Sequence, residues 1–165
     1  MASVPGMTLT IDRVTPDSLD GFLDSVAGLF VEDAGAREPT WDLAWPERDG
    51  RAFYEGMLDD EKSLCLLAST ENGPAGHLVA TIGGHRMRPG EVIATLQSMR
   101  VAEHARRAGV GSGLIAEFMS WAKAKNATEA QVTAFAANAG AIDFYQRNGF
   151  TPYELTLKTR SGLGG

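Results

Sequence analysis

One turn constrains this chain more than any other stretch. It is Arg106-Arg107-Ala108-Gly109-Val110-Gly111-Ser112-Gly113, between an apolar run ending near Val101 and an amphipathic run carried by Val110, Leu114, Phe118, Trp121 and Ala122. The spacing predicts a strand over 91–101 and a long helix starting close to Gly109, with Lys123 and Lys125 favourably placed at its negative end. Unpaired N–H groups at a helix N-terminus, together with the helix dipole, form an anion site, and glycine admits a phosphate close to the backbone. The turn therefore reads either as a pyrophosphate cradle or as a helix start whose glycines allow tight packing on a sheet. Two nucleotide motifs are excluded by spacing. The Walker pattern needs Lys-Ser or Lys-Thr after its last glycine, where this chain has Leu114, and the dinucleotide fingerprint needs glycines two and then three apart.

The rest of the chain supplies the setting. Alternation over 7–14 predicts a strand, and Thr15-Pro16-Asp17 offers a cap, a first-turn proline and an early acid for a helix reaching about residue 31 through Leu19, Phe22, Leu23, Val26, Leu29 and Phe30. Residues 32–49, broken by Gly35, Pro39 and Pro46, read as a loop carrying Trp41 and Trp45, and a second helix is predicted over 49–59. Strands over 63–70 and 76–86, joined at Glu71-Asn72-Gly73-Pro74, precede the 91–101 strand. After the long helix come a strand over 129–137, a helix over 139–148 ended by Asn148-Gly149, and a last strand over 151–159. A meander leading into a strand–helix–strand crossover implies a mixed sheet with helices on both faces. Residues 1–6 and 161–165 read as a disordered extension and a flexible tail.

Composition narrows the function classes. With 21 acids against 15 bases the formal charge is −6, which argues against sequence-independent nucleic-acid binding as the main task. No stretch is long and apolar enough for a membrane span. The single cysteine, Cys65, lies in the apolar run 63–67 and reads as a core thiol, so a reducing, cytoplasmic setting is expected. His77, His85 and His104 do not cluster at ligand spacing, and no metal is expected.

Joined to its downstream neighbourhood, the turn resembles the acyl-CoA-binding motif of the GNAT superfamily of N-acetyltransferases. That motif is Gln or Arg, two residues, Gly, one residue, then Gly or Ala, matched here by Arg106-Arg107-Ala108-Gly109-Val110-Gly111. Its usual sequel matches too, as Asn138, Ala141, Tyr145 and Gly149-Phe150. The resemblance covers about residues 7–160 and is strongest over 91–151. It implies one α/β (α+β) domain over 7–160, with a mixed, mostly antiparallel central sheet of six or seven strands. That sheet would be splayed between the strands flanking the acyl-CoA site and carry helices on both faces.

The resemblance also implies roles. Main-chain groups of Met99 and Val101, with Arg100 between them, would pair with the pantetheine arm of acetyl-CoA. N–H groups from Arg106, Arg107, Ala108, Gly109, Val110, Gly111 and Ser112 would hold the pyrophosphate. Tyr145 matches the general acid that protonates the departing thiolate, and a phenol of ordinary pKa stays protonated at neutral pH. Asn138 would stand near the pantetheine or cap its own helix. Where histone-acetylating members carry a glutamate base, this chain has Thr95, and neither Gln97 nor Ser98 takes a proton at neutral pH. His85 is a candidate base by chemistry alone.

The implied activity is transfer of an acetyl group to a primary amine by direct attack in a ternary complex. A protein or peptide acceptor, or a non-catalytic acyl-CoA-binding module, stays open as an alternative. Residues 31–60 hold nine acids and three arginines, so a small cationic amine is the expected acceptor, met by Glu32, Asp33, Trp41 and Gln97. The short C-terminus leaves a sheet edge that suits a homodimer.

Overall fold

Apolar residues alternating along 63–101 build an antiparallel meander of β2 (Ser63–Thr70), β3 (Gly73–His85) and β4 (Arg88–Val101). The computed structural model describes residues 8–164, so the expected extension over 1–6 lies outside the described residues. β1 (Thr10–Arg13) adds antiparallel to β2, and β5 (Glu129–Val132) adds parallel to β4, giving the order β1-β2-β3-β4-β5. Parallel neighbours need a crossover. Here it contains α4 (Val110–Ala124).

Both sheet faces are covered, which is why β2 is buried along most of its length. Leu64, Leu66 and Ala68 join Leu78, Ala80 and Leu96 against Leu114, Ile115 and Phe118 of α4. The alternate residues Cys65 and Leu67, with Val79, pack on the other face against Phe22 and Val26 of α1 (Leu19–Leu29) and Tyr54 of α3 (Arg51–Leu58). Cys65 is a buried free thiol, pushed up to about 11 by burial, and behaves as a small apolar side chain.

Three expectations change. The segment expected as a loop from residue 32 continues α1 through a π-turn (Phe30–Ala34) and a single helical turn, α2 (Gly35–Arg37); a second π-turn (Pro46–Gly50) leads into α3. The sheet has five strands among the described residues, not six or seven, and β5 is four residues long where 129–137 was expected. Residues 151–159 form no strand. Tyr153, Leu155 and Leu157 alternate as a strand requires but stand 78%, 72% and 84% exposed. Alternation prepares a face, and a strand also needs a neighbouring edge with which to exchange hydrogen bonds.

Candidate functional site

The β4–β5 ladder runs only from Ile93↔Glu129 to Leu96↔Val132, whereas β4 continues to Val101. Beyond Leu96 the pairing stops, because β5 ends at Val132. Gln97 stands outside the β3–β4 register, which shifts between Val79 and Ala80, and its Nε2 donates to Thr81 Oγ1 at 2.9 Å. Residues 97–101 therefore turn an edge with no strand partner toward the gap, and Met99 and Val101 lie on that edge, where Val101 O accepts from Arg106 Nε at 3.2 Å.

The head of α4 closes one end. Gly109 precedes the helix with φ +81, and Arg107 also adopts a positive φ of 64. The first intrahelical bond is Gly113 N–H to Gly109 O at 2.9 Å, so the N–H groups of Val110, Gly111 and Ser112 lie ahead of it and no side chain caps them. The glycines divide their work. A Cβ on Gly109 would meet open space, one on Gly111 would lie 3.0 Å from the Phe144 ring, and one on Gly113 would lie 2.8 Å from Ile11 Cδ1. Only Gly109 borders a free approach; the other two serve packing. Free helix-start N–H groups beside an open glycine, with Arg106 and Arg107 exposed next to them, fit the diphosphate of coenzyme A.

Helix α5 (Ala139–Arg147) forms the opposite bank. Asn138 caps it, its Oδ1 accepting from Ala141 N–H at 3.1 Å while its Nδ2 donates to Asp33 Oδ1 at 3.2 Å. Tyr145 meets Phe144 and Phe150 edge to face. Burial, and secondarily the Asp33 charge, push its phenol up to about 12, and its hydroxyl has no hydrogen-bond partner among the described residues. A protonated donor without an internal partner remains available to a ligand.

Glu32 and Asp33, the acids expected to meet the acceptor, are ion-paired within the chain. Glu32 takes Arg100 in a fork, at 2.7 and 3.1 Å, and Arg106 at 3.3 Å. The Arg100 hydrogen bond is the main reason its carboxyl lies below the usual range. Asp33 pairs with Arg37 at 2.8 Å, and Arg48 takes both Asp42 and Asp49. Glu38 pairs with Lys158 at 2.6 Å and Arg160 at 3.4 Å from the C-terminal segment, the Lys158 bond chiefly holding it near pKa 2. Trp45 stacks on Phe30 with ring centroids 5.8 Å apart, while Trp41 touches Phe30 edge-on and is 46% exposed.

Beside the gap the sheet carries a groove of about 260 Å³ lined by Thr81, His85, Thr95 and Gln131. Gln131 Nε2 donates to Thr95 Oγ1 at 3.1 Å, so the position where histone-acetylating members carry a glutamate holds a neutral hydroxyl–amide pair. His85 lines the groove's outer end, its Nδ1 accepting from Met87 N–H at 3.3 Å. His77 is fully buried, with Ser25 Oγ 2.7 Å from Nδ1 and Ser98 Oγ 2.7 Å from Nε2. Burial drives its pKa to about 3, which removes it as a base. Two contributions were not visible in sequence. These are the π-turn that brings Glu32 and Asp33 to the gap, and the Ser25–His77–Ser98 bridge; a hydroxyl-to-imidazole pairing across 52 residues leaves no local signal. No group of three His, Cys, Asp or Glu side chains is placed to hold a metal ion among the described residues.

Residues 33–150 match the family described as the Acetyltransferase (GNAT) family, and the chain belongs to it. An uncharacterized N-acetyltransferase of Methanocaldococcus jannaschii is 22% identical over 150 residues, covering 90% of this chain; the chain spans 63% of that relative's length. Among solved structures, the aminoglycoside N-acetyltransferase AAC(6')-Iy in complex with CoA superposes with a TM-score of 0.74 at 20% identity, covering 96% of this chain and 99% of that one. A protein described as a transcriptional regulator from Bacillus halodurans C-125 gives 0.73 at 24% identity, over 93% and 99%. At such identities the likeness is one of fold. No helix among the described residues is long and apolar enough to cross a membrane.

Proposed function

We propose that the chain transfers an acetyl group from acetyl-CoA to a primary amine of a small cationic molecule, by direct attack in a ternary complex. The observation that carries this reading is the end of β4–β5 pairing at Leu96↔Val132, with residues 97–101 left without a strand partner on that side and bounded by the open helix start at Gly109 and by Tyr145. Acetyl-CoA supplies the thioester. The main chain at Met99 and Val101 lines its arm, and the N–H groups from Arg107 to Ser112, with the Arg106 and Arg107 side chains, hold the diphosphate; the Arg106 N–H is already bonded to Glu103 O at 3.2 Å. Such donors are fixed before binding and need no reorganisation. Tyr145, its proton held firmly by burial, donates to the departing sulfur.

The acceptor enters by the neutral groove of Thr81, Thr95 and Gln131, with Gln97 beside it. An amine that arrives unprotonated attacks without a carboxylate base at Thr95; the proton its nitrogen sheds as the amide forms passes through water and restores the Tyr145 phenol, whose own proton has gone to the departing sulfur. The aminoglycoside N-acetyltransferase that shares the fold supports an acceptor that is small, polar and cationic. Because most acids around the gap are already paired, hydrogen bonding rather than bulk negative charge selects among cations. The test is thiol release from acetyl-CoA against a panel of amines. Turnover that rises from weakly basic, mostly uncharged amines and simple monoamines to polycationic, polyhydroxylated amines is expected, and equal rates across the panel overturn the acceptor assignment.

Residues 7–160 act as one acetyltransferase domain followed by a flexible tail. A cytoplasmic setting is supported by the buried free thiol of Cys65. The chain works as a homodimer, in which the strand-patterned segment 151–159 finds the edge it lacks in one copy; its three exposed apolar side chains support this.

A further inference from the structure

The π-turn places two consecutive acids against opposite banks of the gap. Glu32 reaches β4 through Arg100 and the glycine turn through Arg106, while Asp33 reaches the cap of α5 through Asn138. A π-turn inserted in a helix commonly marks a functional site. The two arginines on Glu32 are not equivalent. Arg100 is held in a two-bond fork with only 18% of its side chain exposed, and its guanidinium lies on Gly28, where a Cβ would sit 2.5 Å from Cζ. Arg106 is 53% exposed and makes one long bond of 3.3 Å to Glu32 Oε2, with its Nε donating to Val101 O at 3.2 Å. One arginine is fixed. The other is held loosely, next to free helix-start N–H groups.

We propose that Glu32 is a placeholder for a phosphate of the cofactor: its carboxylate occupies Arg106 until a diphosphate displaces it. This rests on the glycine turn being the diphosphate site. Arg106 is then shared between two anions, one in the turn that opens the acceptor side and one on the ligand. Phosphate binding withdraws Arg106 from Glu32 and leaves Glu32 with Arg100 alone. The acid therefore works against cofactor affinity, although it sits beside the cofactor site. The exchange also ties the state of the π-turn to occupancy of the glycine turn.

Calorimetric titration with coenzyme A tests the idea without relying on turnover. Glu32→Gln keeps a hydrogen-bond acceptor for Arg100 and removes the competing charge, so coenzyme A binds about two- to fivefold tighter, the range expected for losing a half-exposed ion pair. In an Arg106→Ala background the same substitution changes affinity by less than the measurement error. Glu32→Asp, which shortens the reach toward Arg106 and keeps the charge, gives a smaller gain and serves if Glu32→Gln lowers the melting temperature. Unchanged or weaker binding in both Glu32 variants overturns the proposal, as does an equal gain without Arg106. No binding of coenzyme A by the unaltered chain overturns the glycine-turn reading and this proposal with it.

Discussion

Gly111 and Phe144 meet with no room between them: a Cβ on the glycine would lie 3.0 Å from two carbons of the ring. The first turn of α4 and the middle of α5 thus touch through a missing side chain, and that contact sets how far the Tyr145 bank stands from the helix start. Gly111→Ala must push the ring or the helix. The expected loss is about 1–3 kcal/mol, the usual cost of overpacking, read as a drop in thermal melting temperature. Gly113→Ala meets only the flexible end of Ile11 and costs less.

Tyr145→Phe removes one hydroxyl that has no internal partner. Coenzyme A affinity should stay within about twofold while kcat falls about 10²- to 10⁴-fold, the range for loss of a general acid. Since the phenol titrates near 12, the rate profile of the unaltered enzyme should show no tyrosine limb below pH 10. A kcat unchanged by the substitution removes Tyr145 from the chemistry.

His77 makes stability depend on acid. Its folded pKa of about 3 lies below the 6.5 of an unfolded histidine, so the unfolded chain binds the extra proton. The contribution is fully present above pH 6.5 and is lost as pH falls toward 3, at up to about 1.4 kcal/mol per pH unit. Urea unfolding between pH 7.5 and 4.5 measures it. His77→Gln should be less stable at neutral pH yet show a flatter acid slope.

The C-terminal segment gives a prediction about assembly. Leu155→Asp with Leu157→Asp should shift the chain from dimer to monomer in light scattering after size exclusion, with little change in the core, because both side chains are exposed in the single copy. A parent chain that is monomeric at all concentrations removes the homodimer.

Much of this architecture was legible because it is local. The period of Val110, Leu114, Phe118 and Trp121 announced α4, and Asn138 at its capping distance from Ala141 announced α5. The meander from β2 to β4 followed from alternation. What escaped depends on partners far along the chain. Tyr153, Leu155 and Leu157 carry a strand's period, but no rule of spacing says which edge receives them. The acids of 31–60 read as a negative surface because the bases that pair Glu32 and Glu38 are Arg100, Arg106, Lys158 and Arg160, up to 122 residues away. At the glycine turn the sequence showed three equivalent glycines, and only the neighbours Phe144 and Ile11 distinguish two of them as packing positions.

Four paired positions hold β5 to β4, and residues 97–101 of β4 face the gap. The sheet is thus a zipper with most of its teeth on the β1–β4 side and few at the mouth. Amide protons of β5 should exchange with solvent well before those of the meander, and a bulkier arm entering the gap needs to unfasten only these few rungs while the core stays shut. Tolerance for longer acyl chains would then be governed by the length of one short ladder, independent of the residues that bind the diphosphate.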